Sequence, residues 1–177
     1  MNNPEQRIKQ TPEIIDERVD NLLDSSSVSV DPKSGLAIVV IKPEAFKNRD
    51  LIIKRLEQQG LHIEKTVERR LPENFVIGTM YKDLPKSIEE ETLRHFNMGP
   101  SEIILVKGGD DTLKKVVEAT GLDTNPDKCD KGTIRYMFGE HFGRDMDDGK
   151  IYYRNATHRA KNPKEQKEDL DKFKTML

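Results

Sequence analysis

His158 stands near the end of Tyr153-Arg154-Asn155-Ala156-Thr157-His158-Arg159, where a short apolar strand runs into the histidine just ahead of a helix start. An imidazole titrates near neutrality, and at a strand end open to a cleft it can attack a phosphoryl group and pass it on. A histidine in such a place is more often a hydrogen-bonded structural residue. What favours chemistry here is its company. Lys42-Pro43 closes an apolar strand and Gly132-Thr133-Ile134-Arg135 closes a polar loop, so a lysine and an arginine stand at two other edges of the same fold.

The elements that must bring these groups together follow from periodicity. Leu36 to Ile41 is a continuous apolar run of strand length, as a central strand covered on both faces requires. Leu51, Ile52, Ile53 and Leu56 mark a helix that Gly60 can stop. Leu61, Ile63, Val67 and Leu71 alternate with polar residues, the period of a strand with one wet face. A helical pair follows, with Phe75, Ile77 and Met80 ahead of Tyr81, then Ser87 and Glu90 as a capping box before Leu93 and Phe96. Glu102 to Lys107 is a second buried strand, Asp111 can cap the next helix, and Gly121 ends it. From Leu122 to Lys131 only turn residues occur. Ile151-Tyr152-Tyr153 supplies the last strand, and Asn162, Pro163 and Glu165 open a final helix with Leu170 and Phe173 inward. Strands alternate with helices, which predicts an α/β (α+β) sandwich, a ferredoxin-like βαββαβ sheet with helices on its faces. Residues 1–35 read as an N-terminal helical extension and linker: Thr11 and Pro12 start a helix with Ile15, Val19, Leu22 and Leu23 on one stripe, and Ser25-Ser26-Ser27 follows. Residues 36–177 form the remaining domain.

Composition limits the function classes. Of 177 residues, 35% are charged and 34% hydrophobic, so the core is thin and subunit association would supplement it. Thirty basic against 32 acidic side chains leave a net charge of -2, which gives nucleic-acid binding no support. Phosphate binding must then come from local placement. The one cysteine, Cys129, rules out an intramolecular disulfide and a cysteine zinc site. No apolar run approaches the about 18 residues of a membrane span, and a cytoplasmic protein without a membrane partner is expected.

Taken in order, the motifs resemble the nucleoside diphosphate kinase family from about Leu36 to Phe173. Lys42-Pro43 stands where that family has Lys-Pro, Ile52 to Glu57 looks like the following helix, and Gly99-Pro100 like its Gly-Pro before the third strand. Thr124-Asn125-Pro126 and Gly132-Thr133-Ile134-Arg135 resemble the two ends of its nucleotide-side loop. Arg154-Asn155-Ala156-Thr157-His158 matches its Arg-Asn-x-x-His, whose histidine carries the phosphate. The resemblance implies transfer of a terminal phosphate from a nucleoside triphosphate to a nucleoside diphosphate through a phosphohistidine on His158. It implies Lys42, Arg135 and Mg²⁺ bound through the nucleotide phosphates as the neutralising charges, and ping-pong kinetics. Thr124 would contact phosphate, Asn155 the sugar, and Tyr81 would help seat the site. Asp169 would orient the imidazole, and a homo-oligomer is implied as well.

The chain also departs from that pattern. Arg159-Ala160 replaces a Gly-Ser or Ala-Ser pair, removing a hydroxyl, although Arg159 is expected to restore a positive charge beside the nucleophile. The phosphate-binding arginine of the helix after the third strand falls at Val117, unless Lys114 or Lys115 reaches round. The aromatic under the base falls near Ser87 or Ile88, Tyr136-Met137 replaces Gly-Asp, and residues 139–150 are an inserted loop. Each residue keeps a structural alternative: Lys42 a solvated strand end, Arg135 a loop salt bridge, Tyr81 a packing residue, Asp169 an exposed helix charge. His62, His95 and His141 read as structural. Two other function classes stay open, a nucleotide-binding pseudoenzyme and a regulatory or interaction module on the same scaffold.

Overall fold

The computed structural model describes residues 35–177; the expected helix and linker of the N-terminal extension lie outside the described residues. Four strands form one antiparallel sheet: β1 (Leu36–Ile41), β2 (His62–Arg69), β3 (Ser101–Lys107) and, written β6 because a hairpin intervenes, Thr157–Arg159. Their order is β2-β3-β1-β6, with β1 antiparallel to both neighbours. Each parallel pair, β1 with β2 and β3 with β6, is thus split by an intervening strand, which is the ferredoxin-like interleaving expected from the alternation.

Every residue of β1 is at most 1% exposed, because helices cover both sheet faces. On one face α1 (Arg49–Gln58) and α4 (Thr112–Thr120) bring Ile52, Leu56, Val116 and Ala119 onto Ala37, Val39 and Ile41. On the other, α2 (Glu73–Phe75) with the π-helical turn Val76–Met80, α3 (Lys86–Phe96) and α6 (Pro163–Phe173) pack Phe75, Val76, Met80, Leu170 and Phe173 against Leu36, Ile38 and Val40. The short α5 (Ile134–Phe138) follows the turn-rich segment after α4. Among the described residues no helix is long and apolar enough to cross a membrane.

Asn162 caps α6 as expected, its side chain accepting from the Glu165 N–H at 3.0 Å with Pro163 in the first turn. Gly121 ends α4 at φ +100, and a side chain there would meet Cys129 Sγ at 2.8 Å. Three local expectations fail. The helix carrying Ser87 begins at Lys86 after Pro85, with no side-chain cap, because proline already presets the turn that Ser87 was expected to start. Asp111 precedes α4 but does not cap it; its carboxylate pairs with Lys115 Nζ one turn on, at 2.9 Å. Ile151-Tyr152 does not join the sheet. It is β5 (Ile151–Tyr152) of a hairpin with β4 (Arg144–Asp145), formed by the inserted segment. The sheet strand proper starts only at Thr157, after a sharp turn in which Ala156 takes φ +65 and Thr157 N–H donates to Asn155 O at 2.7 Å.

Candidate active site

β6 pairs His158 with Val40, so the histidine sits within the strand rather than at its end, on the face covered by α6. Its Nε2 meets Asp169 Oδ2 at 3.0 Å, and Asp169 comes from the second turn of α6 with its side chain 4% exposed. A buried carboxylate accepts only, so Nε2 carries the proton and the lone pair resides on Nδ1. That nitrogen has no hydrogen-bond partner among the described residues. The Tyr81 ring stands edge-on to the imidazole at 5.3 Å and Phe173 lies at 6.4 Å, so packing as well as hydrogen bonding sets the ring's orientation. Asp169 is therefore no exposed helix charge.

A cavity of about 420 Å³ opens beside the imidazole. All eight residues picked out in the sequence, Lys42, Tyr81, Thr124, Arg135, Asn155, His158, Arg159 and Asp169, line it. They come from widely separated parts of the chain, and the sheet brings them together. Lys42 leaves the carboxyl end of β1, and its Nζ donates to Asn155 Oδ1 at 2.7 Å, 5.9 Å from the Tyr81 ring centroid. Burial pushes its ammonium down to about 8; Glu44 opposes that and the Arg135 charge adds to it. Asn155 Nδ2 donates to Thr124 O at 3.1 Å, which ties the turn-rich loop to the histidine strand. Arg135 is 4% exposed, donates to Asp123 O at 2.8 Å and Thr157 O at 3.3 Å, and keeps a buried Nε with no partner. Burial lowers its pKa too, as expected for a cation held out of water.

The Arg159 guanidinium turns away from the imidazole. Consecutive strand residues point to opposite faces, so Arg159 turns toward α4 while His158 turns toward α6. Its guanidinium donates to Thr120 Oγ1, Gly121 O, Leu122 O and Ala160 O. Those hydrogen bonds fasten the side chain to the end of α4, although the residue still borders the cavity. Burial and the nearby Arg135 push its pKa down to about 10.

Neither lysine proposed to replace the arginine missing at Val117 reaches the cavity. Lys114 lies 3.9 Å from Glu118, and Lys115 is held by Gly108 O at 2.8 Å and by Asp111. Sequence reasoning missed three cations that do line it, Lys82, Lys161 and Lys172. Their adjacency to Tyr81, their nearness to His158 and the helical spacing from Asp169 were the available signals. Of the two positions offered for the base-stacking aromatic, Ile88 lines the cavity, together with Leu84, Ile151 and Tyr153.

The carboxylates lining the cavity are Glu165 and Asp169. Asp169 serves His158 and lies 3.6 Å from Lys172, while Glu165 accepts from Lys161 N at 2.9 Å and Asn162 Nδ2 at 3.0 Å. Among the described residues no group of three or more His, Cys, Asp or Glu could hold a metal.

Comparison with known proteins bears on the family and the fold. The family model for nucleoside diphosphate kinase matches residues 36–174. The nucleoside diphosphate kinase of Chloroflexus aggregans is 30% identical over 112 residues, covering 62% of this chain and 74% of the relative. That of Persephonella marina is 24% identical over 147 residues, 79% and 93% of the two chains. Among solved structures, the nucleoside diphosphate kinase of Aquifex aeolicus superposes with a TM-score of 0.63 at 21% identity, over 80% of this chain and 94% of that one. The Borrelia burgdorferi enzyme, solved as a transition-state mimic with vanadate and ADP, gives 0.61 at 16% identity, over 78% and 85%. At such identities the structural likeness speaks for the fold alone.

Proposed function

Because the chain belongs to the nucleoside diphosphate kinase family, we propose that it moves the terminal phosphate of a nucleoside triphosphate onto a nucleoside diphosphate through a phosphohistidine on His158. Nδ1 of His158 attacks the terminal phosphorus, a nitrogen–phosphorus bond forms, and the bond to the bridging oxygen breaks. The electron pair leaves with the nucleoside diphosphate. A second nucleoside diphosphate reverses the step, so one site serves donor and acceptor in turn. Nε2–H stays on Asp169, whose carboxylate balances the charge the imidazole acquires. Lys42 and Arg135 face the equatorial oxygens, where phosphoryl transfer develops its charge. Thr124 contacts phosphate, Asn155 holds the sugar while steadying Lys42, and Tyr81 buttresses the imidazole. Mg²⁺ enters with the nucleotide as part of the substrate and supplies further charge neutralisation.

The observation that carries this reading is the one-sided imidazole: Nε2 is tied to a buried carboxylate and Nδ1 has no protein partner, at the wall of a cavity shared with Lys42 and Arg135. The test is labelling with γ-labelled ATP, where acid-labile, alkali-stable label is expected on the wild type and none on His158→Ala. An unlabelled wild type, or equal label on the variant, refutes it.

A second reading is favoured by Val117 and by the inward turn of Arg159, which leave the site with one guanidinium, that of Arg135, on the nucleophile's side. The protein would then bind nucleotide without turning it over. Nucleotide-induced thermal stabilisation with no transfer from ATP to a deoxynucleoside diphosphate would select it. Homo-oligomerisation belongs to the first reading, since β2 is a sheet edge and Leu51, Met137 and Phe142 are exposed; sedimentation velocity tests it.

A further inference from the structure

A buried chain of three side chains runs beneath the site and meets the cavity wall at Tyr152. Glu44 lies two residues beyond Lys42, in the 3-10 turn Pro43–Asn48. Its Oε1 accepts from Ala156 N–H at 2.8 Å, and its Oε2 meets His95 Nε2 in a short hydrogen bond. His95 Nδ1 in turn meets Tyr152 Oη at 2.8 Å. His95 is 0% exposed, so no water can stand in for either partner.

The proton inventory of this chain closes. A neutral imidazole has one donor and one acceptor, here Nε2–H toward the carboxylate and Nδ1 receiving the phenol O–H. Burial keeps His95 below its ordinary range despite Glu44, and burial pushes the Tyr152 phenol up, so it stays protonated. Burial would raise the Glu44 carboxyl, but His95, Lys42 and the Ala156 N–H together hold it low and ionised.

The far end of the chain reaches the catalytic groups. Ala156 occupies the left-handed region, uncommon for a residue with a side chain. Glu44 takes its N–H, and Lys42 N–H donates to its carbonyl at 2.8 Å. Lys42 Nζ holds the adjoining Asn155 side chain. The turn that delivers His158 is thus gripped at both backbone polar groups of Ala156 from the Lys42–Glu44 segment. Tyr152 ends β5, which follows the inserted segment 139–150 and pairs with β4 inside it, so the insertion is fastened to the same assembly.

We propose that Glu44, held by His95 and through it by Tyr152, is a positioning residue that locks the Asn155–Ala156 turn and sets Lys42 against His158, with the inserted hairpin as its outer anchor. This rests on the phosphotransfer reading above. The test is rapid-quench measurement of phosphohistidine formation from γ-labelled ATP, with steady-state pH profiles, on wild type, Glu44→Gln and Tyr152→Phe. Glu44→Gln is expected to lower kcat by about tenfold or more while KM stays within about threefold, since the loss is of alignment and not of substrate contact. The groups facing Lys42 are Glu44, Arg135, Tyr81 and His95. Of these only Glu44 is anionic, so its loss moves the alkaline limb of kcat/KM to lower pH, which a merely structural residue would not do. Tyr152→Phe, which removes one hydroxyl, lowers kcat by about threefold to tenfold. If Glu44→Gln fails to fold, Tyr152→Phe decides alone. Wild-type labelling with an unchanged kcat and an unmoved limb in the folded variants, or a change in KM only, overturns this proposal and leaves phosphotransfer standing. An unlabelled wild type overturns both.

Discussion

Asp169 offers the sharpest test of how the imidazole is set, because its two oxygens have different neighbours. Oδ2 faces His158 Nε2 at 3.0 Å and Oδ1 faces Lys172 Nζ at 3.6 Å. In Asp169→Ala the imidazole loses one charge-assisted hydrogen bond, about 1.5–3 kcal/mol, and phosphohistidine formation should slow about 10- to 150-fold. In Asp169→Asn the outcome should be worse, although the side chain is nearly isosteric. Lys172 only donates, so it holds the amide oxygen and leaves the NH₂ group toward His158. Nε2 must then accept, the proton moves to Nδ1, and the attacking lone pair is lost. The corresponding tautomer error in a serine-protease triad costs about 10⁴ in rate, which puts the expected loss at about 10²–10⁴. Adding Lys172→Ala frees the amide to rotate and should recover part of it. Single-turnover rates of label incorporation decide the matter. If Asp169→Asn is as fast as Asp169→Ala, Nδ1 is not the attacking atom or Asp169 does not set the tautomer.

In the proposed mechanism Lys42 acts as a cation, and its pKa of about 8 means the charge disappears as pH rises through that value. The kcat/KM profile should therefore fall above pH 8, approaching about tenfold per unit, whereas Lys42→Met should give a lower plateau without that limb. Leu170 is fully buried on α6 beneath the site, so Leu170→Ala should cost about 2–5 kcal/mol in urea unfolding by transfer loss and cavity formation. His141 bridges Asp127 and Tyr136 O, and the hydrogen bond to Asp127 chiefly raises its pKa above 6.5. Its contribution to stability is complete below 6.5 and fades as pH rises through the raised value. The wild type should accordingly lose more Tm than His141→Asn over that window, as differential scanning fluorimetry can show.

The elements legible in the sequence were those whose signal is local. Leu36–Ile41 and the strand around Glu102–Lys107 are continuous apolar runs, and buried strands they are. Asn162, Pro163 and Glu165 announce α6 because a cap, a preset φ and a reciprocal hydrogen bond involve only neighbours in the chain. The Ser87 capping box had an equally local signal and failed, since Pro85 preset the turn earlier. Ile151-Tyr152 looked like a sheet strand because it has strand composition, but composition does not name a partner, and it pairs with Arg144–Asp145.

Within the site, the sequence by itself determined which side chains could do the chemistry: an imidazole, a lysine and an arginine at motif spacing, with a carboxylate eleven residues beyond the histidine. Only the tertiary structure decided what those side chains face. Arg159 adjoins His158 in the chain, yet strand alternation sends it to the opposite face, to Thr120 and Gly121. Lys42 looks like any lysine in the sequence, yet its pKa is depressed, because burial, helped by the Arg135 charge, outweighs the opposing Glu44. His95 had no motif around it at all, and its partners Glu44 and Tyr152 lie 51 and 57 positions away. Desolvation and hydrogen bonding act through space, so they become readable only after the sheet has closed those distances.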